Sequence, residues 1–268
     1  MVRRFTTGFG LLAIGFPVLF FGGIPFLLLV LFFLMAAGWE YVEIFRQAGW
    51  RPARWLIMAG LLAVYLSHYF QIQDNSLLVT ISLLALMTWH TVDYELGADQ
   101  AAVDFGISLG GWVYLGLLGG YIFDLRSLPN GGWWILLVLP VVWMADTGAY
   151  LVGSRIGRHK MSPRLSPKKS WEGFAGGVIF AVLTGALLAY VYSTLGPLHL
   201  PIWMGMLYGL LAGLVSPLGD LGESMIKRYA GLKDSGNLFP GHGGALDRID
   251  SWLWGAVLGY YFILWFIH

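Results

Sequence analysis

Apolar runs long enough to cross a bilayer recur along the whole chain, at about 5–22, 24–45, 55–71, 76–93, 102–123, 133–152, 172–194, 202–222 and 250–267. A membrane-spanning helix needs ~20 mostly apolar residues. The pattern therefore predicts nine transmembrane helices and an all-α, polytopic integral membrane protein. Gly22 and Gly23, followed by Pro25, predict a tight turn between the first two spans. A cleaved leader would also begin with Arg3 and Arg4 before an apolar run, but here that run continues to Gly38, well beyond a signal core.

Composition agrees with the pattern: 57% of residues are hydrophobic and the mean hydropathy is +0.69. The absence of cysteine excludes disulfides, thiolate zinc sites and cysteine nucleophiles. The net charge of +1 says little, whereas the placement of the charges says much. With the N-terminus inside, fifteen of the sixteen Lys and Arg fall in cytoplasmic segments, and Arg126 alone falls outside. The chain also divides by composition. Residues 1–130 supply membrane helices with few interior charges. Residues 131–268 add two basic, glycine-rich cytoplasmic loops, 153–171 and 228–247, where the chemistry is expected.

The densest charge lies between Asp220 and Asp250, where nine charged side chains interrupt a chain that is 12% charged. Asp220, Glu223, Ser224 and Lys227 follow i, i+3, i+4, i+7 spacing and share one helix face. A lone charge there would be a solvated helix end; two acids, a hydroxyl and a base aligned at a membrane boundary indicate function. Asp247, Asp250 and Ser251 open the last helix, where either aspartate alone could serve as a dipole partner. Antiparallel packing would bring the Asp220 and Asp247 ends together, and facing carboxylates call for a cation between them. Oxygen ligands without cysteine or paired histidine favour Mg²⁺ over zinc.

Glycines punctuate the intervening loop. In Pro240-Gly241-His242-Gly243-Gly244 they permit backbone N–H groups to converge on an anion. Lys233, His242 and Arg248 could add donors, whereas glycine alone would read as a flexible hairpin. No G-x-x-x-x-G-K-[ST] occurs, so this is not a P-loop. The loop after the sixth span repeats the theme with Arg155, Arg158, His159, Lys160, Arg164, Lys168 and Lys169. Such a loop could serve orientation alone. Ser170 is placed to cap the next helix, and Glu172 to complete a ring of acids. Asp146 stands inside a span, where an ionisable group is costly and functional by default, pairing with a neighbouring helix being the alternative. His68 and His90 lack partners at metal-ligand spacing. Trp133, Trp134, Trp203, Trp252 and Trp265 fit interfacial anchoring.

Ser224-x-x-Lys227-Arg228, Lys233-Asp234-x-Gly236, Pro240-x-His242-Gly243-Gly244 and Asp247-Arg248-x-Asp250 together resemble the signature of the phosphatidate cytidylyltransferases. Asp146-Thr147-x-Ala149-Tyr150-x-x-Gly153, Ser166-Pro167, Ser170-x-Glu172-Gly173 and Gly219-Asp220 extend the likeness over most of residues 140–255. The first half matches mainly in length and hydropathy. Ala245 departs from the family's larger apolar residue, which concerns packing rather than chemistry.

The resemblance implies CTP and phosphatidate as substrates, CDP-diacylglycerol and pyrophosphate as products, Mg²⁺ as cofactor and K⁺ as a candidate second cation. It also implies a homodimer among membrane lipids, with no nucleic-acid partner, in the inner (plasma) membrane with the active site facing the cytoplasm. On this reading Asp220 and Asp247 are the leading metal ligands, joined by Asp146, Glu172 and Asp250. Ser224, Lys227, Arg228 and Asp234 are catalytic candidates. Lys168, Lys169, Lys233, His242, Gly243, Gly244 and Arg248 are candidates for holding substrate. A CDP-alcohol phosphotransferase would show a D-G-x-x-A-R…G…D…D pattern that is absent here. A transporter could bury Asp146 and Asp220 but would not need the phosphate-type loop.

Overall fold

The structure is a computed structural model, and it describes residues 15–72, 74–236, 238 and 243–267. Residues 15–21 are helical and break at Gly22, whose φ of +77° favours a residue without a side chain. Then follow α1 (Gly23–Gln47), α2 (Arg54–Tyr69), α3 (Ser76–Glu95), α4 (Ala101–Ser127), α5 (Gly131–Ile156), α6 (Trp171–Leu195), α7 (Ile202–Tyr229) and α8 (Leu246–Phe266). Helix α4 carries a π turn over Trp112–Leu117.

Seven of these helices are long and apolar enough to cross a membrane, so the chain is a multi-pass membrane protein in design. The nine expected spans are not all recovered among the described residues. Helix α2 has 16 residues, which at ~1.5 Å per residue falls short of a ~30 Å hydrocarbon core. Most of the first expected span, residues 5–14, lies outside the described residues. The helical expectation also needs one amendment. Between α5 and α6 the chain forms a hairpin, β1 (Lys160–Ser162) antiparallel to β2 (Ser166–Ser170). Ser170 ends it as the predicted cap, its Oγ accepting from Gly173 N at 3.2 Å.

Small residues hold α5, α6 and α7 together. Gly205, Gly209 and Gly213 recur every fourth position along α7, facing Ala181, Gly185 and Ala189 of α6. A Cβ on Gly205 would lie 2.2 Å from the Gly185 carbonyl oxygen, so the two backbones touch directly. Nearer its N-terminus α6 meets α5 in the same way, through Gly173 and Gly177 against Ala149 and Ala145. Lipid tails are as apolar as leucine, and close backbone approach supplies the attraction that burial supplies in water.

Helix α8 packs against α7, α5, α4 and α1, so its first turn is enclosed. Helix α3 lies at the periphery and buries Leu86 and His90 alone. His90 Nε2 contacts Ser108 Oγ at 2.9 Å, and His68 Nδ1 pairs with Asp124 at 2.8 Å. Trp203 and Trp265 are exposed, as anchors require, whereas Trp134 is buried and donates to the Pro129 carbonyl.

Gly205→Val should force α6 and α7 apart and destabilise the fold by at least the ~1–3 kcal/mol typical of overpacking. Thermal unfolding in detergent checks this. The midpoint should drop for Gly205→Val and hold for Gly106→Ala, where an added methyl meets open space.

Candidate functional site

Helix α7 continues to Tyr229, so the stripe Asp220, Glu223, Ser224 and Lys227 lies within its last turns, on one helix as the spacing predicts. Pro217 sits one turn earlier and has no N–H to donate; its carbonyl accepts from Lys169 Nζ at 3.4 Å. The same Lys169 pairs with Asp220 Oδ2 at 2.8 Å, and Ser224 Oγ donates to Asp220 Oδ1 at 3.2 Å. The hairpin's last turn is thereby fastened to the polar face of α7.

One turn further on, Lys227 joins α7 to α8. Its ammonium donates to Glu223 Oε2 at 2.8 Å and to Asp247 Oδ1. The other oxygen of Asp247 accepts from Ser235 N at 3.1 Å, Ser235 Oγ at 2.9 Å and Gly244 N at 2.9 Å. Gly243, at φ +82°, passes so near that a Cβ would stand 2.6 Å from this oxygen. Both oxygens of Asp247 are thus engaged in ordering the loop and Lys227.

A second set of acids clusters beside this pair. One carboxylate oxygen from each of Asp220, Glu223 and Asp250 lies within 4.8 Å of the others. Asp250 is buried, with Ser251 N donating to its Oδ1 at 2.6 Å. Glu223 is 1% exposed, and its Oε1 has no hydrogen-bond partner among the described residues. An unsatisfied buried carboxylate oxygen costs several kcal/mol unless a cation or donor meets it. Hard oxygens, clustered negative charge and that orphaned atom fit a divalent cation such as Mg²⁺. Glu223 belongs to the polar stripe legible in the sequence, yet its spacing to Lys227 reads equally as an ordinary helical ion pair.

Asp220 and Asp250, though not Glu223, border a cavity of about 650 Å³, of the size that takes a drug-sized ligand. Asp146 faces it from α5, and Asp220, Asp247 and Asp250 from α7 and α8. Its cations are Lys160, Lys168, Lys169 and Arg248, so the substrate candidates Lys168, Lys169 and Arg248 are gathered where anions could be held. Asp146 is exposed, but onto this cavity.

Other candidates stand elsewhere. Glu172 accepts from Arg158 N at 3.1 Å, from His159 N at 3.2 Å and from His159 Nδ1 at 2.5 Å, so it caps the turn before the hairpin and does not join the acid ring. Arg228 donates to the carbonyls of Leu165 at 3.3 Å and Leu232 at 2.9 Å, tying the hairpin turn to the loop. Lys233 and Asp234 are exposed and do not line the cavity. Gly244 is buried beside Asp247, and His242 lies outside the described residues. Two contributors escaped the sequence reading: Ser235, which touches Asp247, and Glu40 of α1, which meets the same loop from the other side.

The model of the cytidylyltransferase family matches residues 2–266, well beyond the stretch that carries the motifs. A phosphatidate cytidylyltransferase of Synechocystis is 35% identical, covering 94% of this chain and 93% of that protein. One from Bacillus subtilis is 30% identical over 99% of this chain and 98% of its own length, and one from Brucella suis 34% over 90% and 85%. With a match along essentially its full length, this chain belongs to the cytidylyltransferase family.

Proposed function

We propose that this membrane protein transfers the cytidylyl group of CTP to phosphatidate, forming CDP-diacylglycerol and releasing pyrophosphate. The observation that carries the reading is the cavity itself, where Asp146, Asp220 and Asp250 face the cations Lys160, Lys168, Lys169 and Arg248, with Glu223 and its orphaned oxygen clustered with Asp220 and Asp250. Such a site suits two polyanionic substrates that repel each other. The lipid phosphate is a monoester with a second pKa near ~6, so at neutral pH it is largely a dianion and needs no strong general base. It attacks the α-phosphorus of CTP, a new P–O bond forms, and the bond to the β-phosphate oxygen breaks with departure of pyrophosphate.

Asp220, Glu223 and Asp250 would hold Mg²⁺, with Asp146 facing the same space. A bound Mg²⁺ supplies charge neutralisation on the reacting phosphates. Lys168, Lys169 and Arg248 orient the anions. Lys227 and Asp247 keep the ends of α7 and α8 in register. Ser224, hydrogen-bonded to Asp220, positions that carboxylate rather than attacking. The same proposal includes a K⁺ as second cation, a homodimer, nine spans, and a cytoplasmic active site at the plasma membrane. The contact of Arg228 with the Leu165 carbonyl supports placing the hairpin turn and the loop after α7 on one side.

Purified protein incubated with CTP, phosphatidate and Mg²⁺ should release pyrophosphate and form CDP-diacylglycerol; absence of both products would overturn the assignment. Asp220→Asn and Asp247→Asn should each lower turnover by more than ~10²-fold with the protein still inserted, the scale seen on loss of preorganised charge. Near-normal rates in both across a Mg²⁺ titration would sink the roles given to them.

Direct displacement inverts configuration once at the α-phosphorus, and an α-thiotriphosphate substrate reads the outcome. Ser224→Ala should retain residual turnover with inversion. Net retention, with exchange of labelled pyrophosphate into CTP in the absence of lipid, would instead establish a covalent intermediate.

Topology is accessible because the chain lacks cysteine. Arg164→Cys and Lys233→Cys should label from the cytoplasmic face, opposite the segment 124–130. Labelling of these two positions from opposite faces would contradict a joint site.

A further inference from the structure

Glu40 is a carboxylate in the C-terminal third of α1, 8% exposed, and no cation neutralises it among the described residues. It is met by backbone and hydroxyl donors. Its Oε1 accepts from Ala245 N at 2.9 Å, and its Oε2 from Leu246 N and Ser235 Oγ, each at 2.9 Å. Ala245 and Leu246 open α8, so the carboxylate rests on that helix's positive end and satisfies two of its unpaired N–H groups.

The loop is shaped around this carboxylate. A Cβ on Gly236 would lie 2.6 Å from Glu40 Oε1, and one on Gly244 2.2 Å from Oε2. Backbone therefore closes on Glu40 from both arms of the segment joining α7 to α8. Ser235 Oγ is 2.9 Å from Glu40 Oε2 and 2.9 Å from Asp247 Oδ2. A hydroxyl has one proton to donate, so it serves one of these carboxylates at a time, while Ser235 N serves Asp247 throughout. Asp247 in turn binds Lys227, and Lys227 binds Glu223 of the acid cluster.

We infer that Glu40 is a positioning residue for the cytidylyl transfer, fixing the loop and the first turn of α8 and, through Ser235 and Asp247, the placement of Lys227 against Glu223. The inference rests on the reading of the cavity as the transfer site. The N-terminal half of the chain then contributes to catalysis without touching substrate.

The test uses full-length purified protein as wild type, Glu40→Gln, Glu40→Asp and Ser235→Ala, with three readouts: amide hydrogen exchange, thermal midpoint, and kcat with the Mg²⁺ half-saturation. Glutamine keeps the shape but turns an NH₂ toward backbone donors, so Glu40→Gln should speed exchange at Ala245 and Leu246 with little change in midpoint. Its kcat should fall by ~10-fold to ~10²-fold, as for a misplacement of about an ångström, and its Mg²⁺ half-saturation should rise. Glu40→Asp retains the charge and should recover part of the rate. Ser235→Ala removes a single hydroxyl and reports the same direction should Glu40→Gln fail to insert. Faster exchange with unchanged kcat and Mg²⁺ dependence would overturn the positioning role, and unchanged exchange would overturn the contact itself. Wild type that forms no CDP-diacylglycerol would instead remove the functional reading, and the positioning role with it, leaving the loop contact to be judged by exchange alone.

Discussion

The site depends on one ammonium group. Lys227, 7% exposed, stands between Glu223 on its own helix and Asp247 on the next, where water is scarce. Removing one partner of a buried ion pair strands the other at a cost of about 3–5 kcal/mol. Here a single cation serves two carboxylates, so its loss would leave both uncompensated. Asp247 is further fixed by Ser235 and Gly244, which carries the constraint from two helices into the loop. Charge placed in an apolar setting must be answered locally, and the answer determines where everything nearby can stand.

The same economy of space governs the membrane helices. Without a hydrophobic driving force between them, α5, α6 and α7 approach through glycine and alanine until backbone meets backbone. That closeness sets the depth of the polar residues: Gly173 and Gly177 seat α6 against α5, and the hairpin preceding α6 then delivers Lys169 to Asp220. Binding two polyanions demands cations and acids side by side. The hairpin, the end of α7 and the start of α8 supply them from separate parts of the chain.

Much of this was legible in the sequence because its physics is local. Hydropathy runs disclosed most helices, and i, i+3, i+4, i+7 spacing put Asp220, Glu223, Ser224 and Lys227 on one face. Motif order disclosed the family. What depended on distant partners was not legible. The expected ligand Asp247 has both oxygens engaged by Lys227, Ser235 and Gly244, contacts that no spacing rule predicts. Glu172 read as part of the acid ring, yet it answers the nearer backbone of Arg158 and His159. Glu40 finds its donors some two hundred positions away. The hairpin passed as loop because its strands are short and basic, and hydropathy alone does not disclose that α2 holds 16 helical residues.

The central claim is that Asp220, Glu223 and Asp250 form a divalent-cation site beside the cavity that Asp220 and Asp250 line. Titration of Mn²⁺, read by electron paramagnetic resonance on purified protein with CTP and no lipid acceptor, tests it most directly. Wild type should hold bound Mn²⁺ that Mg²⁺ displaces, and Asp250→Asn and Glu223→Gln should each weaken that binding while CTP remains present. Equal Mn²⁺ affinity in wild type and both variants would contradict the cluster as the cation site.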